Sequence, residues 1–139
     1  MITEEQYYRG YDRVYARELT DEIRSNVKIL ISKVNELIRL MAKDGIELET
    51  NPITKSGLNS GWRPPAVNAR TKNAAVRSNH MTGKAVDLYD PEGEIDEWCI
   101  ANLDALKRLG LYMEHPSATK GWCHLQSTPP RSGRQVFYP

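Results

Sequence analysis

One long amphipathic segment constrains the fold of this 139-residue chain more than any other feature. Between residues 20 and 44 the apolar residues recur every three or four positions, as one face of an α-helix requires. They are Ile23, Val27, Leu30, Ile31, Val34, Leu37, Ile38 and Met41. Thr20 suits the N-cap, and Gly45 suits the position after the last helical turn. We therefore predict one long helix whose apolar stripe lies in the core.

Three short segments in the second half of the chain have the alternating pattern of half-buried strands. They are residues 85–89 (AVDLY), 111–114 (LYME) and 121–126 (GWCHLQ). Alternate residues point to opposite faces, so each strand has an apolar side that can pack against helices. A second helix is predicted over residues 95–109 and ends at Gly110. We expect an α+β fold in which a small, mostly antiparallel sheet packs against two main helices.

The remaining segments indicate loops and a short arm. Residues 1–19 are rich in tyrosine and are predicted to form an N-terminal arm or a short helix. Residues 46–79 are rich in Pro, Gly, Ser and Asn, which is typical of loops, and we expect only a short strand there, ending near Trp62 and Arg63. Because no repeat or linker divides the chain, we predict one domain over residues 1–139.

Composition and charge argue against several classes of partner. The formal net charge is +1, from 19 Lys and Arg against 18 Asp and Glu, so we expect no nucleic-acid binding. No apolar run is long enough to span a bilayer, so we expect no stable membrane insertion. We also expect the chain to be a monomer. The polar N-terminus lacks the apolar core of a secretory signal, which favours synthesis in the cytoplasm. Cys99 and Cys123 lie in apolar contexts and are predicted to be buried free thiols.

The polar faces of the predicted strands bring ionisable residues together. Asp87 lies in the middle of an apolar strand, where a valine would suit a core-facing position better. Alternation places Asp87, Glu114 and His124 on the same face if the three strands share a sheet. With the intervening segment as a hairpin loop, Glu114 lies opposite Trp122 and Tyr112 lies opposite His124. Glu114 is then a diagonal neighbour of His124, at about 7–8 Å.

A two-histidine, one-carboxylate set follows if the loop residue His80 joins Asp87 and His124. Catalytic zinc typically has three such protein ligands and one open position. Gly83 gives the chain the backbone freedom to turn between His80 and the strand. Each residue taken alone also has an ordinary explanation: a solvated loop histidine, a strand-edge aspartate and a half-buried histidine. The H-x6-D spacing by itself occurs by chance in many chains.

Three segments resemble one family of zinc peptidases. SNHMTGKAVD (residues 78–87) resembles the S-x-H-x-x-G-x-A-x-D signature of the zinc D-alanyl-D-alanine carboxypeptidase family, the LAS-type peptidases. GWCHLQ (121–126) resembles the W-x-H segment that supplies the last zinc ligand of that family. SGWRPPAVN (60–68) resembles the segment that supplies an arginine. The resemblance extends over most of the chain and looks closest to the small single-domain peptidases of bacteriophages.

This resemblance implies a hedgehog/DD-peptidase-like fold and an endolysin-like, zinc-dependent hydrolase that cleaves peptidoglycan stem peptides or cross-links. The zinc ligands it implies are His80, Asp87 and His124, with Arg63 on the substrate and Ser78 bracing the site. The full set of residues expected near substrate is Arg63, Ser78, Tyr112, Trp122 and Gln126. Without a signal peptide, such an enzyme would reach the cell wall through a holin-made lesion or from a virion. The resemblance leaves open whether D-Ala–D-Ala, L-Ala–D-Glu or a cross-bridge is cut.

The sequence departs from the family at the general base. Many relatives have Glu or His two or three residues before the last ligand, but here those positions are Trp122 and Gly121. The hairpin argument favours Glu114 as the base, with His115 as the alternative. A chain without a base would be a non-catalytic, zinc-containing module that binds cell-wall peptides. A metal-free nucleic-acid-binding or scaffold protein is a further alternative, which the near-neutral charge disfavours.

Overall fold

A five-stranded mixed sheet forms the centre of the fold in a computed structural model that describes residues 1–139. Its strands are β1 (Leu58–Ser60), β2 (Ala85–Asp90), β3 (Tyr112–Glu114), β4 (Gly121–Gln126) and β5 (Val136–Phe137). Their spatial order is β1-β2-β4-β3-β5, and every neighbouring pair is antiparallel except β3 and β5. The predicted α+β class with a mostly antiparallel sheet is therefore confirmed. The β5 strand was not predicted, and β1 ends at Ser60 rather than near Trp62.

Six α-helices accompany the sheet. They are α1 (Glu4–Tyr8), α2 (Tyr11–Val14), α3 (Asp21–Lys43), α4 (Pro65–Ala69), α5 (Glu94–Ala101) and α6 (Leu103–Leu109). The long helix α3 is the one predicted from the apolar stripe, and the Thr20 hydroxyl accepts a hydrogen bond from the Ile23 backbone N–H at 3.1 Å as its N-cap. Seven residues of the stripe are buried: Val27, Leu30, Ile31, Val34, Leu37, Ile38 and Met41. No helix is both long and apolar enough to cross a membrane.

The N-terminal arm packs into the core. Tyr7 and Tyr8 of α1 are buried, and the Tyr7 hydroxyl donates a hydrogen bond to the Ala85 carbonyl oxygen at 2.6 Å. The Tyr8 ring meets the buried Trp62 ring edge-on, with centroids 6.1 Å apart. Helix α1 is therefore fixed against the sheet beside the loop that follows β1.

The single helix predicted over residues 95–109 is wrong, because α5 and α6 are separate helices. Asn102 lies between them with φ −130° and ψ 48°, outside the helical region. Its side-chain amide donates to the Trp98 carbonyl oxygen at 2.8 Å and so occupies an acceptor at the end of α5. The two cysteines are buried and free, as predicted.

The predicted register between β3 and β4 is also wrong, by two residues. Tyr112 pairs with Gln126 and Met113 pairs with Leu125, so the same register sets Glu114 opposite His124. Strand β4 pairs along its whole length with β2, while β3 meets only its C-terminal half. A 3-10 turn at Pro116–Ala118 forms part of the longer connection. A shift of two residues leaves each side chain on its predicted face.

Candidate metal centre

Asp87 and His124 are direct partners in the β2–β4 ladder. Asp87 Oδ1 lies 2.9 Å from His124 Nδ1 on the face of the sheet away from the core. The alternate strand neighbours Val86, Leu88 and Leu125 are fully buried on the other face. The two-residue period of both strands thus places the carboxylate and the imidazole side by side, as the alternation predicted.

His80 reaches the same point from a 3-10 turn, Asn79–Thr82, that precedes β2. The Ser78 hydroxyl caps this turn by accepting a hydrogen bond from the His80 backbone N–H at 3.1 Å. Gly83 ends the turn at φ +76°, and a Cβ there would lie 2.7 Å from Val27 Cγ2 of α3. His80 Nε2 is 3.3 Å from Asp87 Oδ2, and the donor atoms of the three residues all lie within 4.8 Å of one another.

The outer nitrogen of each imidazole also has an oxygen partner. His80 Nδ1 lies 2.8 Å from the Gly61 carbonyl oxygen, and His124 Nε2 lies 2.8 Å from Gln126 Oε1. The Gln126 amide donates to the Thr128 carbonyl oxygen at 2.7 Å, which fixes its oxygen toward His124. All four ring nitrogens of the pair therefore face oxygen atoms.

This arrangement fits a cation between the two histidines. A neutral imidazole has only one N–H, so when the outer nitrogens of His80 and His124 donate, the inner nitrogens present lone pairs beside Asp87. The alternative is two imidazolium ions with ring centroids 5.4 Å apart that share one carboxylate. A divalent cation accepts both lone pairs and the carboxylate, and outer partners of this kind are usual for ligating histidines. Two nitrogens and one oxygen form a donor set that suits Zn²⁺.

Burial and mutual attraction act in opposite directions on the ionisation of Asp87 and His124. Burial by itself disfavours the Asp87 carboxylate, but in the metal-free protein the charge interaction with His80 and the hydrogen bonds with both rings hold its pKa below the usual range. Burial likewise disfavours the charged His124, yet the hydrogen bond and the negative charge of Asp87 raise the pKa of its ring. Asp87 is thus a carboxylate at neutral pH and provides the negative charge that a cation requires.

Arg63 is tied to the same turn as His80. Its guanidinium donates to the Ser78 hydroxyl at 3.2 Å, and its backbone N–H donates to the His80 carbonyl oxygen at 3.1 Å. The buried Nε of Arg63 has no partner within the chain. Arg63, Trp122 and the three candidate ligands line a common groove of about 420 Å³. Ser78 thus connects the arginine to the turn that carries His80.

Glu114 lines this groove and His115 does not. Burial raises the pKa of the half-buried Glu114 carboxyl, while the nearby His124 opposes that shift. His115 stacks on Tyr138, with ring centroids 4.5 Å apart, and its Nδ1 lies 2.8 Å from the Ser117 hydroxyl. Of the two candidate bases, only Glu114 therefore faces the cluster.

Other predicted substrate contacts have different surroundings. Tyr112 is half-buried and does not line the groove. Gln126 lines it, but its amide is occupied by His124 and Thr128, which makes it a residue that orients a candidate ligand. Phe137 also lines the groove and meets the His124 ring edge-on at 6.2 Å.

Sequence reasoning missed the contribution of Gly61 and Phe137. A backbone carbonyl leaves no side-chain signature, so nothing in the sequence marks the Gly61 contact with His80. The role of Gln126 had a usable signal, because residues two apart on a strand share a face and Gln126 follows His124 by two.

No family model, curated protein or solved structure matches the chain. The assignment of a function therefore depends on the geometry of the site and on the motifs.

Proposed function

We propose that this protein is a zinc-dependent peptidase that hydrolyses a peptide bond in peptidoglycan. The observation that supports it best is the pairing of both outer imidazole nitrogens with oxygen acceptors, at Gly61 and Gln126, which leaves the inner nitrogens to converge beside Asp87. The reaction class comes from the motif resemblance, and the groove around the cluster has the volume of a small-molecule site.

A bound zinc ion would supply Lewis acidity, which makes a water molecule acidic near neutral pH and polarises a carbonyl group. Glu114 accepts a proton from the attacking water and donates it to the nitrogen of the leaving amine. The water oxygen forms a bond to the carbonyl carbon, and the C–N bond then breaks. The second water proton leaves the new carboxylic acid and is taken up by the amine, so the products are a carboxylate and an ammonium group. Because burial raises the pKa of Glu114, its carboxylate is a stronger base than an exposed glutamate.

Arg63 would hold the oxygen of the substrate that becomes negatively charged. Its guanidinium is partly buried beside Asp87, where a charge interacts more strongly than in water. The hydrogen bond to Ser78 restricts its position. Trp122 forms an apolar wall of the same groove.

The proposal is tested by metal analysis and by digestion of purified peptidoglycan. The purified chain should bind one Zn²⁺ per molecule and release muropeptides that mass spectrometry can identify, and a chelator should abolish the release. His124→Ala should lose both zinc and turnover. Glu114→Gln should retain zinc and lose about 10²- to 10⁴-fold in turnover, whereas the exposed Glu47→Gln should behave as the unmodified chain.

Each outcome separates one alternative. Full activity in Glu114→Gln would exclude Glu114 as the base. Zinc binding without any turnover in the unmodified chain would identify a binding module. A chain that binds no zinc would contradict the proposal.

A further inference from the structure

A separate cavity is formed by α5, the turn before it and the connection from β3 to β4. It has a volume of about 560 Å³, within the range of a small-molecule site, and shares no lining residue with the groove of the metal cluster. Much of its wall offers no side-chain polar group. That part of the wall consists of Pro91, Gly93, Ile100, Pro116 and Gly121.

Two buried polar side chains of this cavity lack a partner. Asp96 is 5% exposed and Thr119 is 1% exposed, and both residues line the cavity. Neither Asp96 Oδ1 nor Thr119 Oγ1 has a hydrogen-bond partner within the chain. The Cys123 thiol lies beside the Asp96 carboxyl, but a thiol is only a weak donor. Because buried polar atoms are normally paired and an unpaired one costs stability, the two atoms indicate a ligand that supplies the missing hydrogen bonds.

The charges around the cavity favour a cationic ligand. Asp96 and Glu97 line it against a single cation, the exposed Lys120. Both oxygens of the nearby Asp90 already accept hydrogen bonds, from the backbone N–H groups of Ile95 and Asp96 at 3.0 Å, so Asp90 needs no further partner. Burial and the charge of Asp90 raise the pKa of Asp96 to about 7. A positively charged donor offsets both effects when it pairs with the Asp96 carboxylate.

We infer that this cavity is a binding site for a small organic amine in its ammonium form. The ammonium group has three N–H donors, which suit the Asp96 carboxylate and the Thr119 hydroxyl oxygen. The hydrocarbon part of the ligand packs against Pro91, Pro116 and Ile100. The inference is independent of the proposed peptidase function, because no residue of the cavity belongs to the metal cluster or lines its groove.

The test titrates the full chain with n-butylammonium at pH 8 in phosphate buffer, which contains no competing amine. Two-dimensional NMR of the backbone amides measures binding and locates it. Gly93 and Gly121 should show saturable shifts, because both line the cavity. 1-Butanol has the same hydrocarbon chain without the charge, and it should bind about tenfold more weakly. Butyrate, the anionic counterpart, should cause no saturable shift.

Substitutions identify the groups that hold the amine. Asp96→Asn should weaken binding of n-butylammonium about tenfold, and Thr119→Val, which keeps the shape of the side chain, about two- to tenfold. Asp104→Asn, at an exposed position of α6 outside the cavity, should leave the affinity unchanged.

Three results would overturn the inference, and the first two need only the unmodified chain. They are the absence of saturable shifts at the cavity with n-butylammonium, equal affinities for 1-butanol and n-butylammonium, and an affinity in Asp96→Asn equal to that of the unmodified chain. Failure to bind zinc or to cleave peptidoglycan would contradict the proposed function and leave this site unaffected.

Discussion

Gln126→Ala provides a direct test of how the candidate metal centre is held together. Gln126 is only 5% exposed. Its side-chain Oε1 lies 2.8 Å from His124 Nε2, and its Nε2 donates to the Thr128 carbonyl oxygen at 2.7 Å. Truncation removes the acceptor that holds the outer N–H of His124. The ring then loses both a preferred orientation and part of the basicity of its inner nitrogen.

The expected loss is a decrease in zinc affinity. Removing the outer partner of a ligating histidine typically costs 10- to 100-fold in metal affinity, or about 1.4 to 2.7 kcal/mol. His124 borders an open groove, where water can replace part of the lost hydrogen bond. We therefore expect a loss near the lower end, about tenfold, with the stoichiometry of one zinc retained at saturation.

The assay is a competition titration with a chromophoric chelator at fixed pH. Gln135→Ala is the matched control, because Gln135 is half-buried, donates to the Leu111 carbonyl oxygen at 3.3 Å and does not contact His124. An affinity in Gln126→Ala within twofold of the control would show that the Gln126 contact does not orient the ligand. Thermal denaturation without metal measures any general loss of stability separately.

Two further predictions concern stability. Burial raises the pKa of Asp96 to about 7, so the folded state retains this proton better than the unfolded chain, and stability should fall as the pH rises from about 4 to 7. Asp96→Asn should remove that dependence and raise the free energy of unfolding at pH 8 by about 1 to 3 kcal/mol. Denaturant titrations at pH 5 and pH 8 measure this, and an equal change in unfolding free energy between the two pH values in both proteins would contradict the reasoning. Gly83→Ala should cost about 2 to 4 kcal/mol in the same assay, because its Cβ would meet Val27 at 2.7 Å. Gly93→Ala, with a similar φ of +73° and open space around it, should cost only about 1 kcal/mol, and equal losses would exclude the contact with Val27.

The parts of the site that depend on local periodicity could be predicted from the sequence. Alternation along β2 and β4 is sufficient to place Asp87 and His124 on the polar face, because side chains reverse direction at every residue. The relative position of Glu114 could not be predicted, because it depends on the length of the connection between β3 and β4. An error of two residues in that length keeps the Glu114 side chain on the same face of the sheet but changes the residue that it pairs with on β4.

Non-local contacts are the parts that the sequence did not reveal. Phe137 reaches His124 only because β5 pairs in parallel with β3, and a two-residue strand has no periodicity to detect. The break at Asn102 had a local cause, since asparagine side chains compete for backbone hydrogen bonds. It was missed because the surrounding residues favour a helix.

Gly61 connects the first residues of the chain to the candidate metal centre. Its carbonyl oxygen faces His80, and a Cβ at this position would lie 2.2 Å from the Tyr7 carbonyl oxygen of α1. The next residue, Trp62, donates its backbone N–H to that same Tyr7 oxygen at 3.2 Å. If His80 holds an ion as proposed, docking of the N-terminal helix and binding of that ion are thermodynamically linked. Each event would then strengthen the other, and a protease that attacks the N-terminus would meet greater resistance when zinc is present.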